Sequence, residues 1–346
     1  MEENVIPNPV LDSREMNSLN SLTETYKKLT EPGAVRKVVK SAGKLIPDNI
    51  KKGISELGLN ISQQELYSQM MKVISSGFNA LEEIASKVTI SEKSILNKIK
   101  KEFDIELDSI EQITLLRSYQ IDKMFSQERV SNLVISVIEG GATGAAGFAG
   151  IPFNIVLSTF IYFRAVQSIA MYYGYDIKND SSELIIASEV FTQSLSPASN
   201  DFDNQFSNII GKIMLFSTSS TVKQTAKKTW SDMIAKKGIP LMLTKLRALA
   251  HKSAQTALQK AGEKGLENSI FRETFEQIGK RLSLKAIQKA IPVVSGVFGA
   301  LIDTYQMNKV LSFANVFYQK RFILEKENRI HDLLGESVVT VQLGDE

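Results

Sequence analysis

Side chains that could carry out catalysis are scarce in this sequence of 346 residues. It contains no cysteine, which excludes thiolate nucleophiles and zinc sites built on cysteine. Its two histidines, His251 and His331, lie far in sequence from the apolar centre, and the chain has neither a G-x-S-x-G elbow nor an H-E-x-x-H motif. Any chemistry would therefore depend on carboxylates and on the arginine of the central segment.

Carboxylates around the apolar centre could bind a hard metal ion, which accepts oxygen ligands from scattered positions. These carboxylates are Glu139, Asp176, Glu183, Glu189 and Asp303. If the protein is an enzyme, its catalytic candidates are Glu139, Arg164, Asp176 and Asp303. Carboxylates scattered over helices are usually solvated or paired with a cation, so we expect no metal, no cofactor and no enzymatic activity. A hydrolase or metal-dependent enzyme acting on lipid or peptide is the alternative.

The stretch GATGAAG, with Gly141, Gly144 and Gly147, resembles a phosphate-binding loop only in its spacing. Such a loop requires a preceding strand, and a P-loop also requires a Lys-Ser or Lys-Thr pair, whereas the sequence offers neither. Small residues at three- or four-residue spacing also allow two helix backbones to approach closely. We therefore assign a helix-packing role to Gly140, Gly144, Gly147, Gly296 and Gly299.

Helices must position these residues, because apolar side chains recur at three- and four-residue spacing through most of the chain. Only ESVVTVQLG, near the C-terminus, resembles a strand, and it can also be read as a tail. The pattern predicts an all-α fold with a flexible segment over residues 1–20, one multi-helix domain over 21–330 and a tail over 331–346. In its centre we expect a glycine-rich helical hairpin packed on a C-terminal, glycine-bearing helix.

The segment Gly140–Phe163 contains no charged residue over 24 positions. This length falls within the range of a transmembrane helix, but the glycines and Pro152 argue against one continuous span. We expect the second helix of the hairpin to run from about Ile151 to Tyr173 and to be stopped by Gly174. The sequence leaves open whether this segment is a buried core helix, contacts a membrane peripherally or spans it.

Arg164 is the one charged residue in this apolar neighbourhood, and a buried guanidinium is costly unless a carboxylate meets it. We expect Arg164 to pair with Asp303 or Glu139. The alternative is an arginine that extends to the surface beside Tyr172 or Tyr173. In either arrangement the primary role of Arg164 would be structural and not catalytic.

Between Lys212 and Lys260 the sequence has ten Lys or Arg residues and one acidic residue, Asp232, a local excess of +9. The only tryptophan, Trp230, lies in the same segment. This composition is typical of contact with an anionic membrane surface, and a solvated helix face is the alternative. No recognised motif points to nucleic acid. The residues assigned to membrane binding are Lys223, Lys227, Lys228, Trp230, Lys236, Lys237, Lys245, Arg247 and Lys252.

Three stretches make the sequence similar to the EcsC family: the lead KLIPDNIKKGI, the block VIEGGATGAAGFAGIPFNIVLSTFIYFRAVQSIAMYYGYD, and the late block KAIPVVSGVFGALIDTYQ. The resemblance spans roughly residues 44–321. Two departures are Asn154, where family members often have aspartate, and VVSG in place of VVGA. Positions that follow the family pattern are Glu139, Gly140, Gly144, Gly147, Arg164, Tyr173, Gly174, Asp176, Pro292, Gly296 and Asp303.

The resemblance implies association with membrane processes, because the family takes its name from a component encoded beside an ABC transporter. We therefore expect an accessory or regulatory protein that supports such a transporter or a secretion process. Its partner would be an anionic membrane surface or a membrane protein complex. The N-terminus has acids and no apolar core of a signal peptide, so we expect a cytoplasmic protein at the inner face of the cell membrane.

Overall fold

The fold is built from α-helices, and no strand occurs in the described parts of the chain. The computed structural model describes residues 6–30, 63–86, 90–125, 151–195, 205–216, 238–281 and 297–335. The helices are α1 (Ser13–Thr30), α2 (Gln63–Ala85), α3 (Glu92–Phe103), α4 (Ser118–Met124), α5 (Ile151–Tyr172), α6 (Ser181–Leu195), α7 (Gln205–Leu215), α8 (Ile239–Ala261), α9 (Leu266–Arg281) and α10 (Val297–Leu333), with 3-10 helices at Ile110–Leu115 and Glu263–Gly265. The predicted all-α fold is confirmed.

Helix α5 ends where its sequence predicts. Gly174 adopts a left-handed φ of 76°, and its N–H donates to the carbonyl of Met171 at 2.9 Å. The N–H of Tyr175 donates to the carbonyl of Ala170 at 3.0 Å, which completes a Schellman motif. The chain therefore turns sharply after α5 and returns as α6.

The apolar helix α5 is buried within the protein from Val156 onward. It packs against α2, α6 and α10. The aromatic rings of Phe160 on α5 and Phe271 on α9 are 4.8 Å apart, and Phe78 on α2 lies 5.1 Å from Phe160. For this part of the segment, protein side chains provide the apolar surroundings that the sequence requires. Helix packing of α5 on the C-terminal helix is thus observed, while Gly140, Gly144, Gly147 and Gly296 lie outside the described residues.

Two helices hold the other elements together. Helix α6 is buried around nearly its whole circumference and contacts α5, α7, α8, α9 and α10. Helix α10 has 37 residues, a length of about 55 Å, and contacts α1, α5, α6 and α7 along one continuous rod. The core therefore forms one unit rather than two.

The chain ends differ from the prediction. Residues 13–20, expected to be flexible, form the first part of α1, and Leu19 and Glu15 are fully buried there. Helix α10 continues to Leu333, just past the expected boundary at 330. The N-terminal stretch looked loose because it is polar, but its polar residues have buried partners that short-range patterns do not reveal.

Two lysines of α10 anchor α1. The Nζ of Lys326 lies 2.8 Å from Oε1 of Glu15, and both side chains are fully buried. The Nζ of Lys320 donates to the hydroxyl of Thr23 at 2.6 Å and to the carbonyl of Met214 at the end of α7. Burial lowers the pKa of Lys320 to about 7 and, despite the neighbouring Glu15, that of Lys326 to about 8.

Lys320 makes the stability depend on pH. Because its folded-state pKa is below that of a free lysine, the unfolded chain holds more protons between pH 7 and 10, and the free energy of unfolding rises with pH in that window. Between pH 7 and 8 the rise attributable to this lysine is about 1 kcal/mol. Urea unfolding at both pH values should show that Lys320→Met loses this increment, whereas the exposed Lys28→Met keeps it. Equal increments in all three proteins would contradict the assignment.

Candidate functional site

The predicted catalytic residues do not form one site in the described structure. Glu139 lies outside the described residues, and Asp303 and Gly299 lie in the first turns of α10, where side chains are not described. Arg164 lies in the middle of α5, eight residues or about 12 Å before its end. Asp176 lies beyond that end, in the α5–α6 turn. Arg164 and Asp176 therefore belong to two different polar clusters.

Arg164 forms the first cluster with carboxylates of α9 and α2. Its Nη2 lies 3.0 Å from Oε2 of Glu267 and 3.6 Å from Oε1 of Glu82. The Nε2 of Gln167 donates to the other oxygen of Glu267 at 3.1 Å. Burial raises the pKa of Glu267 against the opposing effect of Arg164. Arg164 is thus paired with carboxylates, as its sequence setting predicts, and they are Glu267 and Glu82. The expected partners, Asp303 and Glu139, are not among the described side chains.

The second cluster surrounds a cavity at the α5–α6 turn. The cavity has a volume of about 560 Å³. Its lining residues come from the first 3-10 helix, the turn, the start of α6, α8 and the end of α10: Ser109, Glu111, Gly174, Tyr175, Asp176, Asn179, Asp180, Glu183, Arg247, Arg329, Asp332 and Leu333. The turn and the start of α6 form one continuous segment, so four parts of the chain that are remote in sequence converge on one opening.

Beneath the cavity lies a buried ion network. Arg321 of α10 donates from Nη1 and Nη2 to the two oxygens of Glu183, at 2.6 and 2.7 Å. Its Nε lies 3.0 Å from Oε2 of Glu325, one turn further along α10. Arg247 of α8 lies on the other side of Glu325, with Nε 3.3 Å from Oε1. Burial opposes ionisation of Glu325, but Arg247, Arg321 and Arg329 outweigh it and lower its pKa.

Tyr175 and Arg329 join this network to the turn. Two guanidinium groups lie close to the Tyr175 ring, with Cζ of Arg321 4.0 Å and Cζ of Arg329 4.4 Å from its centroid. Its hydroxyl donates to Glu325 at 3.0 Å, and burial raises the pKa of Tyr175. Arg329 donates to the carbonyls of Tyr173 and Gly174 at 3.0 and 2.6 Å, which satisfies groups left open at the end of α5. The network fixes the turn that forms the cavity wall.

Sequence reasoning found Glu183 and Asp176 but missed the three charged residues of α10. Arg321, Glu325 and Arg329 recur at four-residue spacing along α10, and three apolar residues separate the first two. One face of a buried helix that carries alternating charge indicates a polar network. This spacing was the available signal.

The residues predicted to bind membranes divide into three groups. Lys245 and Lys252 are exposed on α8. Arg247 differs from the prediction, because the buried carboxylate of Glu325 holds it at the cavity instead of on the outer basic face. Lys223, Lys227, Lys228, Trp230, Lys236 and Lys237 lie outside the described residues.

Within the described ranges, no three histidine, aspartate or glutamate side chains are grouped as ligands of a metal ion would be. None of the helices in those ranges has the length and apolar character needed to cross a bilayer.

The sequence profile of the EcsC protein family matches residues 17–323. The chain belongs to the EcsC family. This confirms the resemblance seen in the glycine-rich and late blocks. The EcsC match begins in α1 and includes Glu183 and Arg321, whereas Glu325 and Arg329 follow its last residue. Searches of curated proteins and of solved structures each gave no match.

Proposed function

We propose that this EcsC protein is an accessory protein that binds the anionic, cytoplasmic face of a membrane peripherally and supports a membrane machine such as an ABC transporter or a secretion system. The observation that carries the proposal is the charge of α8. This helix of 23 residues contains no aspartate or glutamate. Its exposed positions include Lys245, His251 and Lys252.

The orientation of α8 supports a role for this face. Leu243, Leu246, Ala250, Ala254 and Ala257 recur at three- and four-residue spacing and are buried against the protein. The opposite face is therefore fixed outward with its cations. A lysine or arginine close to an anionic membrane contributes about 1 kcal/mol to binding, and the contribution falls off within the Debye length of roughly 8 Å at physiological salt. A fixed row of cations can consequently bind lipid without insertion of a helix.

The alternative, a hydrolase or metal-dependent enzyme, gains no support from the two described candidates. Arg164 is engaged by Glu267 and Glu82, and Asp176 belongs to the separate cavity. We therefore keep membrane binding as the proposed function.

Vesicle binding tests the proposal. Co-sedimentation with vesicles of neutral lipid plus about 30% phosphatidylglycerol should show binding that weakens with salt. Lys245→Gln/Lys252→Gln should reduce the affinity about 30-fold, since two cations contribute about 2 kcal/mol. The matched control is Lys93→Gln/Lys101→Gln, which removes the same charge from exposed positions of α3. Absence of binding by the parent protein, or equal losses in the two variants, would refute the proposal.

A further inference from the structure

The cavity at the α5–α6 turn has the size of a small-molecule site. Its volume of about 560 Å³ falls within the range of roughly 300–1,000 Å³ that is usual for ligand pockets. Its wall is fixed by the ion network rather than by a loop alone. The chemistry of its lining therefore indicates what kind of molecule it can bind.

Arg247 presents unused hydrogen-bond donors at this cavity. Its side chain is 39% exposed. Glu325 contacts it on the buried side, with Nε 3.3 Å from Oε1 and Nη2 3.4 Å from Oε2. The first of these is an ion pair without a hydrogen bond, because the buried Nε has no hydrogen-bond partner. The polar interactions that the structure shows between Arg247 and other described residues use Nε and Nη2 and leave Nη1 as an available donor. A guanidinium that is held in place and still has unused hydrogen-bond donors is suited to bind an oxyanion.

The floor of the cavity also carries an excess of positive charge. Arg247 and Arg321 are paired with two carboxylates, Glu183 and Glu325. Arg329 donates to backbone carbonyls, which carry no formal charge. Three guanidinium groups and two carboxylates give the floor a formal charge of +1, so the floor is the end of the cavity at which an anionic group can bind.

The rim carries the opposite charge. Glu111, Asp176, Asp180 and Asp332 line the cavity, and none of them forms an ion pair with a lysine or arginine of the described ranges. Asp176 accepts hydrogen bonds from the backbone of Lys178 and Asn179 in its own turn, and Asp180 accepts one from Ser182. A ligand with only negative charge would be repelled here, whereas an ammonium group would be attracted.

We propose that this cavity binds a small zwitterion, with its carboxylate or phosphate on Arg247 and its ammonium group among the rim carboxylates. This chemistry has two sources, a free amino acid and the phosphoethanolamine headgroup of a lipid. The inference goes beyond the proposed function and does not depend on it, because α8 could bind anionic lipid whether or not the cavity is filled.

Isothermal titration calorimetry on the full chain tests the charge pattern. The zwitterionic probes are L-glutamine and sn-glycero-3-phosphoethanolamine, which separate the two sources. The probes that carry charge of one sign are glycerol 3-phosphate, an anion of about −2 at pH 7, and ethanolamine, a cation. We expect at least one zwitterion to bind about 10-fold or more tightly than both of these probes, since only a zwitterion has a group for each end of the cavity.

Variants at the two ends of the cavity locate the ligand. Arg247→Gln should weaken zwitterion binding at least about 10-fold, and Lys252→Gln, which removes a cation from the outer face of the same helix, should leave it unchanged. Because Arg247→Gln disturbs the network, Glu111→Gln/Asp332→Asn provides a second test at exposed positions. It should weaken binding of the zwitterion and strengthen binding of glycerol 3-phosphate, because it removes two carboxylates that attract an ammonium group and repel an anion. Thermal unfolding checks that each variant is folded.

Three results would overturn the inference. The first is that neither zwitterion binds at about 10 mM. The second is that neither zwitterion binds more tightly than both probes of one charge sign. The third is that none of the cavity variants alters the binding. Failure of vesicle binding with retained zwitterion binding would refute the proposed membrane function alone.

Discussion

Replacing Glu183 with glutamine should lower the free energy of unfolding by about 3–5 kcal/mol, because it leaves the fully buried Arg321 without its bidentate partner. Arg321 cannot release its charge to relieve the loss, since a guanidinium stays protonated in proteins. Glu325 compensates only in part, because it is shared with Arg247 and Tyr175. Urea unfolding monitored by circular dichroism measures the difference.

The matched control is Glu106→Gln. Glu106 pairs with Lys100 at 2.5 Å, but both side chains are more than half exposed. An exposed pair of this kind contributes at most about 1 kcal/mol, so the same chemical change should cost far less there. If the two substitutions lowered the stability by equal amounts, the ion network would not be the buried anchor that its geometry indicates.

Gly174→Ala should be the second most damaging substitution, with a loss of about 2–4 kcal/mol in the free energy of unfolding. A Cβ at this position would lie 2.7 Å from the carbonyl oxygen of Ile110 and 2.7 Å from Nη2 of Arg329. The left-handed φ of 76° adds a cost of about 1 kcal/mol for any residue with a side chain. The strain would also displace the carbonyls that Arg329 binds.

Gly335→Ala separates these two costs. Gly335, just past the end of α10, has a similar φ of 67°, but a Cβ there would meet no atom of the described residues within 4 Å. Its substitution should therefore cost only about 1 kcal/mol. Thermal and urea unfolding of both variants give the comparison. A loss in Gly174→Ala no larger than that in Gly335→Ala would show that the close contacts at the α5–α6 turn relax at little cost.

The features that depend on neighbouring residues could be predicted from the sequence. The glycine at the end of α5 predicts where the helix stops, and the structure agrees. The apolar circumference left open whether protein or lipid surrounds the helix, and the structure shows burial within the protein from Val156 onward. The pairing of Arg164 with a carboxylate follows from the cost of burying a guanidinium. The identity of that carboxylate does not, because Glu82 and Glu267 meet Arg164 only once α2 and α9 have packed beside α5.

The candidate site could not be assembled from the sequence for the same reason. Glu183 and Arg321 are 138 residues apart, and nothing local to either indicates the other. Arg247 was grouped with its basic neighbours because composition counts charges without regard to the side of the helix on which they lie. The four-residue spacing of Arg321, Glu325 and Arg329 was readable, but their partners on α6, α8 and the turn required coordinates.

The pairing of Glu15 with Lys326 has a consequence for biosynthesis. The two residues are 311 positions apart, so the ribosome makes almost all of the described chain between them. Helix α1 cannot dock on α10 during this time, although it can already contact α7, and the part of its face that α10 covers lacks its final partner until then. The final packing step of the fold is therefore late, because α1 can dock on α10 only after α10 has emerged from the ribosome.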